Sequence, residues 1–284
     1  MLAVFRKELA DHLVSMRFLI LFILVLLAAI FASYVAVQTI REAVGETTEF
    51  VFLKIFTTSS ETLPLSFLFF LALFIPIIGI ALGFDAINSE RSNGNLSRLL
   101  SQPIYRDAVI NGKFLAGLAV LAIIIVSVIA IVAGFGIRVV GVPPGSEEIL
   151  RLVVFALVSI VYGAFWMALA VLFSTLFKSA TTSLLASIGL WIFFFFFASL
   201  ITQFARYVSP CALYGEATSM LLTPELDPAM ASMVSQVTGR LPTPLPFSQS
   251  FLLVWPQVVS LIALATVCFA VSYIRFMREE IRSL

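Results

Sequence analysis

Residues 114–137 read FLAGLAVLAIIIVSVIAIVAGFGI, an apolar run held between Lys113 and Arg138 and containing no ionisable side chain. About 20 such residues cross the ~30 Å hydrocarbon core of a bilayer as a helix. Inside that core each backbone N–H and C=O must find its partner within the segment, so an isolated run of this kind is a transmembrane α-helix. A window of about 19 residues moved outward in both directions finds five more: Phe18 to Ile40, Leu63 to Phe84, Leu152 to Phe177, Thr181 to Phe204 and Leu252 to Ile274. The expected fold class is therefore all-α, a polytopic integral membrane protein with six transmembrane helices in one domain over residues 1–284. An even number of spans puts both termini on one side.

Composition agrees. The chain has 284 residues, 61% apolar and 12% charged, with a mean hydropathy of +1.10, which excludes a soluble domain and leaves no room for a large water-soluble catalytic one. Charge is nearly balanced, 17 Lys plus Arg against 16 Asp plus Glu, so no nucleic-acid partner is expected. The distribution is uneven: eleven basic residues flank the spans on the side of the termini and six on the other. That bias assigns the termini to the cytoplasm.

Residues 1–16 carry Glu8 and Asp11 and do not read as a cleavable signal peptide. Leu2, Phe5, Leu9, Leu13 and Met16 recur at helical spacing, with Arg6, Lys7, Asp11, His12 and Ser15 opposite. An amphipathic N-terminal interfacial helix is expected, with the lone histidine solvated on its polar face. Cys211 and Cys268 read as apolar fillers.

Three loops stand out. The first, residues 85–113, reads FDAINSERSNGNLSRLLSQPIYRDAVINGK from Phe84 onward and concentrates the polar groups of the chain. Leu96, Leu99 and Leu100 lie at i, i+3 and i+4, Asn93 and Asn95 are helix-starting residues around Gly94, and Pro103 stops the run. The result is a short amphipathic helix, resting on lipid headgroups through Arg91, Arg98 and Arg106 or docking on a partner. The second loop, residues 205–251, has an acidic start, a proline-rich end, and Met220, Leu221, Met230, Met233 and Val237, which suggest short helices on the outer surface. Packing explains those methionines better than soft-metal ligation. The third, Arg41 to Thr62, places Phe50, Phe52, Leu53 and Phe56 in a short interfacial element. Within the spans, Pro76 should loosen the second helix. The run Phe193, Phe194, Phe195, Phe196 and Phe197 in the fifth is either an apolar gate or plain packing.

Gly112-Lys113 lacks the upstream glycine and following Ser or Thr of a phosphate loop, so ATP is not bound by that motif here. No HExxH or GxSxG sequence occurs, and Glu147-Glu148 lies in an outer loop without a histidine. An enzyme is disfavoured. An ion-coupled carrier is disfavoured too, because no ionisable residue falls inside the six runs.

Glu90-Arg91-Ser92-Asn93-Gly94-Asn95-Leu96-Ser97-Arg98-Leu99-Leu100-Ser101-Gln102-Pro103, followed by Arg106 and Gly112-Lys113, resembles the loop after the second span of type-2 exporter ABC transporter permeases. That loop runs E-R-x-x-G-x-L-x-x-L-L-S-x-P, then R and G-K. The amino-terminal F-R-K-E-L (Phe5, Arg6, Lys7, Glu8, Leu9), the six spans and the long last outer loop also resemble that family. So does Ser209-Pro210 to Thr218 with Leu221-Leu222 and Pro224, which is similar to the branch of the nitrous oxide reductase maturation permease. The resemblance implies a permease subunit in a prokaryotic cytoplasmic membrane, paired with a second permease copy, identical or different. It implies a separate P-loop ATPase that holds ATP and Mg, with no cofactor in this chain. It implies a coupling helix over roughly Arg91 to Ser101: Leu96, Leu99 and Leu100 in the groove of the ATPase, Glu90, Arg91 and Arg98 in polar contacts, and Gly94 allowing close approach. Alternating access that moves a substrate outward is the first expectation. Force transmission to an extracytoplasmic partner is the second, and an ATP-independent scaffold or channel the third.

Overall fold

A computed structural model describes residues 1–42, 50–59, 66–92, 105–141, 143–197, 209–223 and 246–278. In chain order the helices are α1 (Leu2–Val14), α2 (Met16–Glu42), α3 (Val51–Thr57), α4 (Phe67–Gly83), α5 (Asn88–Ser92), α6 (Arg106–Val140), α7 (Ser146–Leu176), α8 (Ala180–Ile192), α9 (Pro210–Leu222) and α10 (Phe247–Arg278). Among the described residues six helices are long and apolar enough to cross a membrane: α2, α4 with its continuation to Glu90, α6, α7, α8 with Phe193–Phe197, and α10. These are the six spans expected from the sequence.

Helix boundaries follow from local chemistry. Ser15 separates α1 from α2: its extended backbone breaks the helix, its hydroxyl donates to His12 O at 2.7 Å, and the same oxygen accepts from Phe18 N at 3.2 Å. One residue thus closes the first helix and caps the second. The Ser66 hydroxyl caps α4, accepting from Phe69 N at 3.3 Å, and Ser209 with Pro210 at the first position starts α9. Gly141, at φ 77°, ends α6 in the left-handed conformation that glycine adopts without a Cβ clash.

α7 is the axis of the bundle, with Phe155, Tyr162, Trp166 and Ala170 fully buried among its neighbours. Gly79 and Gly83 bring α4 into backbone contact with it. A Cβ at Gly79 would lie 2.7 Å from Gly163 O, and one at Gly83 2.7 Å from Met167 O. On the contact of α7 with α6, a Cβ at Gly163 would strike Leu121 at 2.7 Å. Small residues four apart allow this approach where the solvent is as apolar as the side chains and van der Waals contact drives association.

Several helices exceed the apolar runs. α6 is 35 residues long, roughly 50 Å at 1.5 Å per residue, so Lys113 and Arg138 lie within it and not in loops. α7 begins at Ser146, which puts Glu147, Glu148 and Arg151 on a helix and corrects the loop assignment of that acidic pair. α3 packs against the bundle, with Phe52, Leu53, Ile55 and Phe56 buried in the core. α9 does not rest on the surface, since Leu213, Tyr214, Ala217, Leu221 and Leu222 are buried. The apolar faces of these two amphipathic helices are taken up by a bundle that accepts packing from outside its spans.

Gly79→Ala and Gly83→Ala are expected to destabilise the fold by about 1–3 kcal/mol each through overpacking. Gly134→Ala, whose Cβ would meet nothing within 4 Å, is expected to be neutral or slightly stabilising. Thermal unfolding of the three variants in one detergent measures the difference.

Candidate functional site

The motif-bearing loop leaves the membrane through a fastened turn. After α4, residues 84–87 turn, and the backbone N–H groups of Ile87 and Asn88 both donate to Ser174 Oγ, at 3.1 and 3.2 Å. With its amide nitrogen turned inward, the buried Asn88 side chain donates to Ser174 O at 3.0 Å and Phe177 O at 2.7 Å. The last carbonyls of a helix have no intrahelical partner, so one asparagine caps the end of α7 and pins the start of α5 to it.

α5 then carries Glu90 to Lys113. The Lys113 ammonium lies 3.0 Å from Glu90 Oε1 and 3.0 Å from Glu8 Oε1 of α1, and all three side chains are about nine-tenths buried. Lys7 adds contacts to Glu8 at 3.3 Å and to Asp11 at 3.4 Å. Beside them Arg17, at the start of α2, pairs with Asp85 and lies over the Phe84 ring at 5.4 Å. Four helices, α1, α2, α5 and α6, and the turn after the second span therefore meet in one ionic cluster. Gly112 makes room for it, since a Cβ there would come 2.9 Å from Val4 of α1.

This junction revises the reading of the first helix. The face turned to the protein holds Val4, Phe5, Glu8, Leu9 and His12, while Leu2 and Met16 are 62% and 74% exposed. His12 is half-buried and not solvated, because Glu8 and the helix end of α6 draw that face inward. Burial pushes the His12 imidazole below its ordinary 6.5; Glu8, Asp85 and Asp11 oppose this and Lys113 reinforces it. For Glu8, burial raises the carboxyl, yet Lys113 and Lys7 together outweigh it and leave it below its ordinary 4.5. Of the other expected site residues, Phe5 and Leu9 pack inward, Arg6 and Lys7 are exposed, and Glu90 and Arg91 stand on α5. Gly94, Leu96, Arg98, Leu99, Leu100, Ser101 and Pro103 lie outside the described residues.

Inside the membrane, Pro76 deprives Ala72 O of its helical donor. The Tyr162 hydroxyl reaches that carbonyl at 3.4 Å and Cys211 Sγ at 3.3 Å. Tyr162 stacks on Tyr214 of α9 with ring centroids 4.2 Å apart, and Tyr214 shares a hydrogen bond of 2.9 Å with Ser159. A proline that would loosen α4 is thus held by a phenol of α7. The fifth span ends, among the described residues, in a π-helical turn over Phe193–Phe197. Phe194 packs on Trp166 and Phe195 on Trp191 and Phe69, whereas Phe193, Phe196 and Phe197 are exposed.

At the opposite end Arg151 is fully buried. It donates to Glu147 Oε1 at 2.8 and 3.2 Å, to Leu221 O at 2.9 Å and to Ser250 Oγ at 3.1 Å, between the rings of Phe50 and Phe247. Glu148 accepts from Gly145 N at 2.7 Å and from Phe52 N at 3.2 Å. Sequence reading missed Arg151 and Asn88. The Glu147-to-Arg151 spacing of four at the mouth of a span was the available signal for the first; the second had none, since its partner Ser174 is 86 residues away. Among the described residues no group of three or more His, Cys, Asp or Glu is placed to hold a metal ion.

A family model described as ABC-2 family transporter protein matches residues 2–281. The probable ABC transporter permease protein NosY of Pseudomonas aeruginosa is 30% identical over 126 residues, 42% of this chain and 44% of that relative. The aligned stretch thus spans less than half the length of either protein.

Replacing Lys113 by Met leaves two buried carboxylates facing each other and is expected to cost about 3 kcal/mol; adding Glu8→Gln should recover part of it. Acid should act in two steps. Both His12 and Glu8 have folded values below their ordinary ones, so their contributions are intact above those values and are lost as pH falls. The melting temperature should decline below pH 6.5 as docked His12 resists protonation, and again below pH 4.5 as Glu8 protonates. His12→Gln should remove the first decline and keep the second.

Proposed function

The chain belongs to the ABC-2 family of transporter proteins and is a membrane permease subunit; from that premise we propose that it moves a substrate outward by alternating access, driven by a separate P-loop ATPase. ATP and Mg are held by that partner, ATP hydrolysis takes place there, and this chain carries no cofactor of its own. A second permease copy, identical or different, completes the pathway. The multi-pass chain sits in a cytoplasmic membrane with its termini inside, and α1 lies in the interface with Leu2, Leu13 and Met16 toward lipid.

The observation that carries this reading is Lys113 bridging Glu8 and Glu90 at 3.0 Å each. The coupling segment, roughly Arg91 to Ser101, springs from α5, which that bridge and Asn88 hold to the third span, the elbow helix and the fourth span. A push from the ATPase on Leu96, Leu99 and Leu100, aligned by Arg98, Gly94 and Ser101 and bounded by Pro103, would be delivered to α1, α6 and α7 as a rigid-body movement and not absorbed in the loop. Phe193–Phe197, half lipid-facing and half packed on Trp166 and Trp191, serve as the apolar gate. The π turn supplies the place where that helix changes its winding.

A second reading is favoured by α9. That helix is buried against the fourth span and tied to it through Tyr214 and Arg151, a path by which force could reach an extracytoplasmic partner protein without substrate passing. Stimulation of ATP hydrolysis by small amphiphiles in liposomes supports transport; stimulation only by an extracytoplasmic protein supports transmission.

The tagged chain purified from its native membrane is expected to bring down a P-loop ATPase, and Leu99→Asp to lose it while inserting normally. A stable wild-type chain that recovers no ATPase would overturn both readings in favour of a scaffold or channel.

A further inference from the structure

Two cavities meet at the hinge between α1 and α2. The first, of about 230 Å³, is the mouth beside the ionic cluster. The second, of about 300 Å³, is a groove lined by Phe18, Leu21, Ala81 and Ile124. They share His12, Arg17 and Leu82, so a charged chamber and a largely apolar one lie side by side against the same side chains. The groove passes from Arg17 to Leu21 along the first span, roughly 6 Å into the hydrocarbon, and Met16 at its edge is 74% exposed. Each cavity alone is small beside the roughly 300–1,000 Å³ of ordinary ligand sites, but together they offer head and tail chemistry to one amphiphile.

We propose that this paired cavity is a specific site for a bilayer phospholipid with a zwitterionic, primary-amine headgroup, its acyl chain entering along Phe18, Leu21 and Ala81. The mouth selects the headgroup. Its side chains include three cations, Lys7, Arg17 and Lys113, and one more carboxylate than that, so a wholly anionic headgroup gains no net attraction. Lys7 and Arg17 are 59% and 64% exposed at the rim, where a phosphate would join the pairs they already make with Glu8, Asp11 and Asp85. Asp11 and Asp85 lie beside them, with Asp11 61% exposed. Carboxylates accept hydrogen bonds from an ammonium, which a quaternary amine lacks. The neutral imidazole of His12, at the junction of the two chambers, lets the polar-to-apolar boundary pass without a buried charge. The lipid thereby fills the space between the elbow helix and the second span.

Native mass spectrometry of the full chain, exchanged into detergent with equal amounts of phosphatidylethanolamine, phosphatidylcholine and phosphatidylglycerol, tests the site. One phosphatidylethanolamine per chain should be retained in preference to the other two. Asp85→Asn should weaken its retention by about tenfold, as loss of a charge-assisted hydrogen bond does. Ala81→Phe, which fills the groove and leaves every charge in place, should abolish it. Should Asp85→Asn fail to fold, Ala81→Phe decides alone. Equal retention of the three lipids, retention of none, or retention of phosphatidylethanolamine undiminished in Ala81→Phe would overturn the proposal.

Discussion

The geometry of the end of the bundle that holds α1 depends on one ammonium. Lys113 stands between Glu8 and Glu90, and its position 105 residues from Glu8 makes it the residue that joins the beginning of the chain to α5. Exposed pairs of this kind are worth roughly 0–1 kcal/mol. Here the three side chains are largely withdrawn from water, so desolvation offsets much of the attraction and the net gain is small, while removing any one member leaves a charge uncompensated. The triad therefore fixes where α1, α5 and α6 stand relative to one another more than it adds stability. On the proposed reading, in which the loop receives a push from an ATPase, a defined position is the more useful property.

That position is passed through the membrane by contacts of a different kind. Between the two ionic ends the helices have only packing and a few hydrogen bonds to hold them, and the bundle uses both. Gly79 and Gly83 seat α4 on the backbone of α7, and the carbonyl that Pro76 leaves without a donor is taken by Tyr162, which also stacks on Tyr214. At the far end Arg151 collects α9 and α10 through Leu221 O and Ser250. A movement of α7 thus has direct polar contacts to an inner partner, Asn88, and to an outer one, Leu221. Both the transport reading and the transmission reading draw on this same axis, and they differ in what crosses beside it.

The six spans were legible in the sequence because a run of about 20 apolar residues has few alternative solutions in a bilayer. Their ends were less so. Charges were read as loops, yet helices continue through Lys113 and from Ser146 past Arg151, because a helix longer than the hydrocarbon core keeps its ladder in the headgroup region and brings its own charges to partners there. α3 and α9 carry amphipathic patterns that look interfacial, and no periodicity says whether the apolar face meets lipid or protein. In the ionic junction, Glu8, Glu90 and Lys113 stand in recognisable motifs, whereas their pairing, and the role of Asn88, emerge only from the fold, since the partners come from remote parts of the chain. His12 was misplaced for the same reason: helical spacing assigned it to the polar face, and tertiary packing turned that face inward.

The central claim is that α1, the start of the coupling loop and α6 move as one body. Joining them covalently decides it: Glu8→Cys with Lys113→Cys in a chain whose Cys211 and Cys268 are replaced by Ala, linked through two disulfides by a bis-methanethiosulfonate reagent that a reductant cleaves, and assembled with its ATPase. The account predicts that ATP hydrolysis, lowered when the ionic bridge is lost, rises again once the link is made. Turnover that stops on linking and resumes on cleavage would show that the elbow helix and the third span separate in every cycle, and would contradict it.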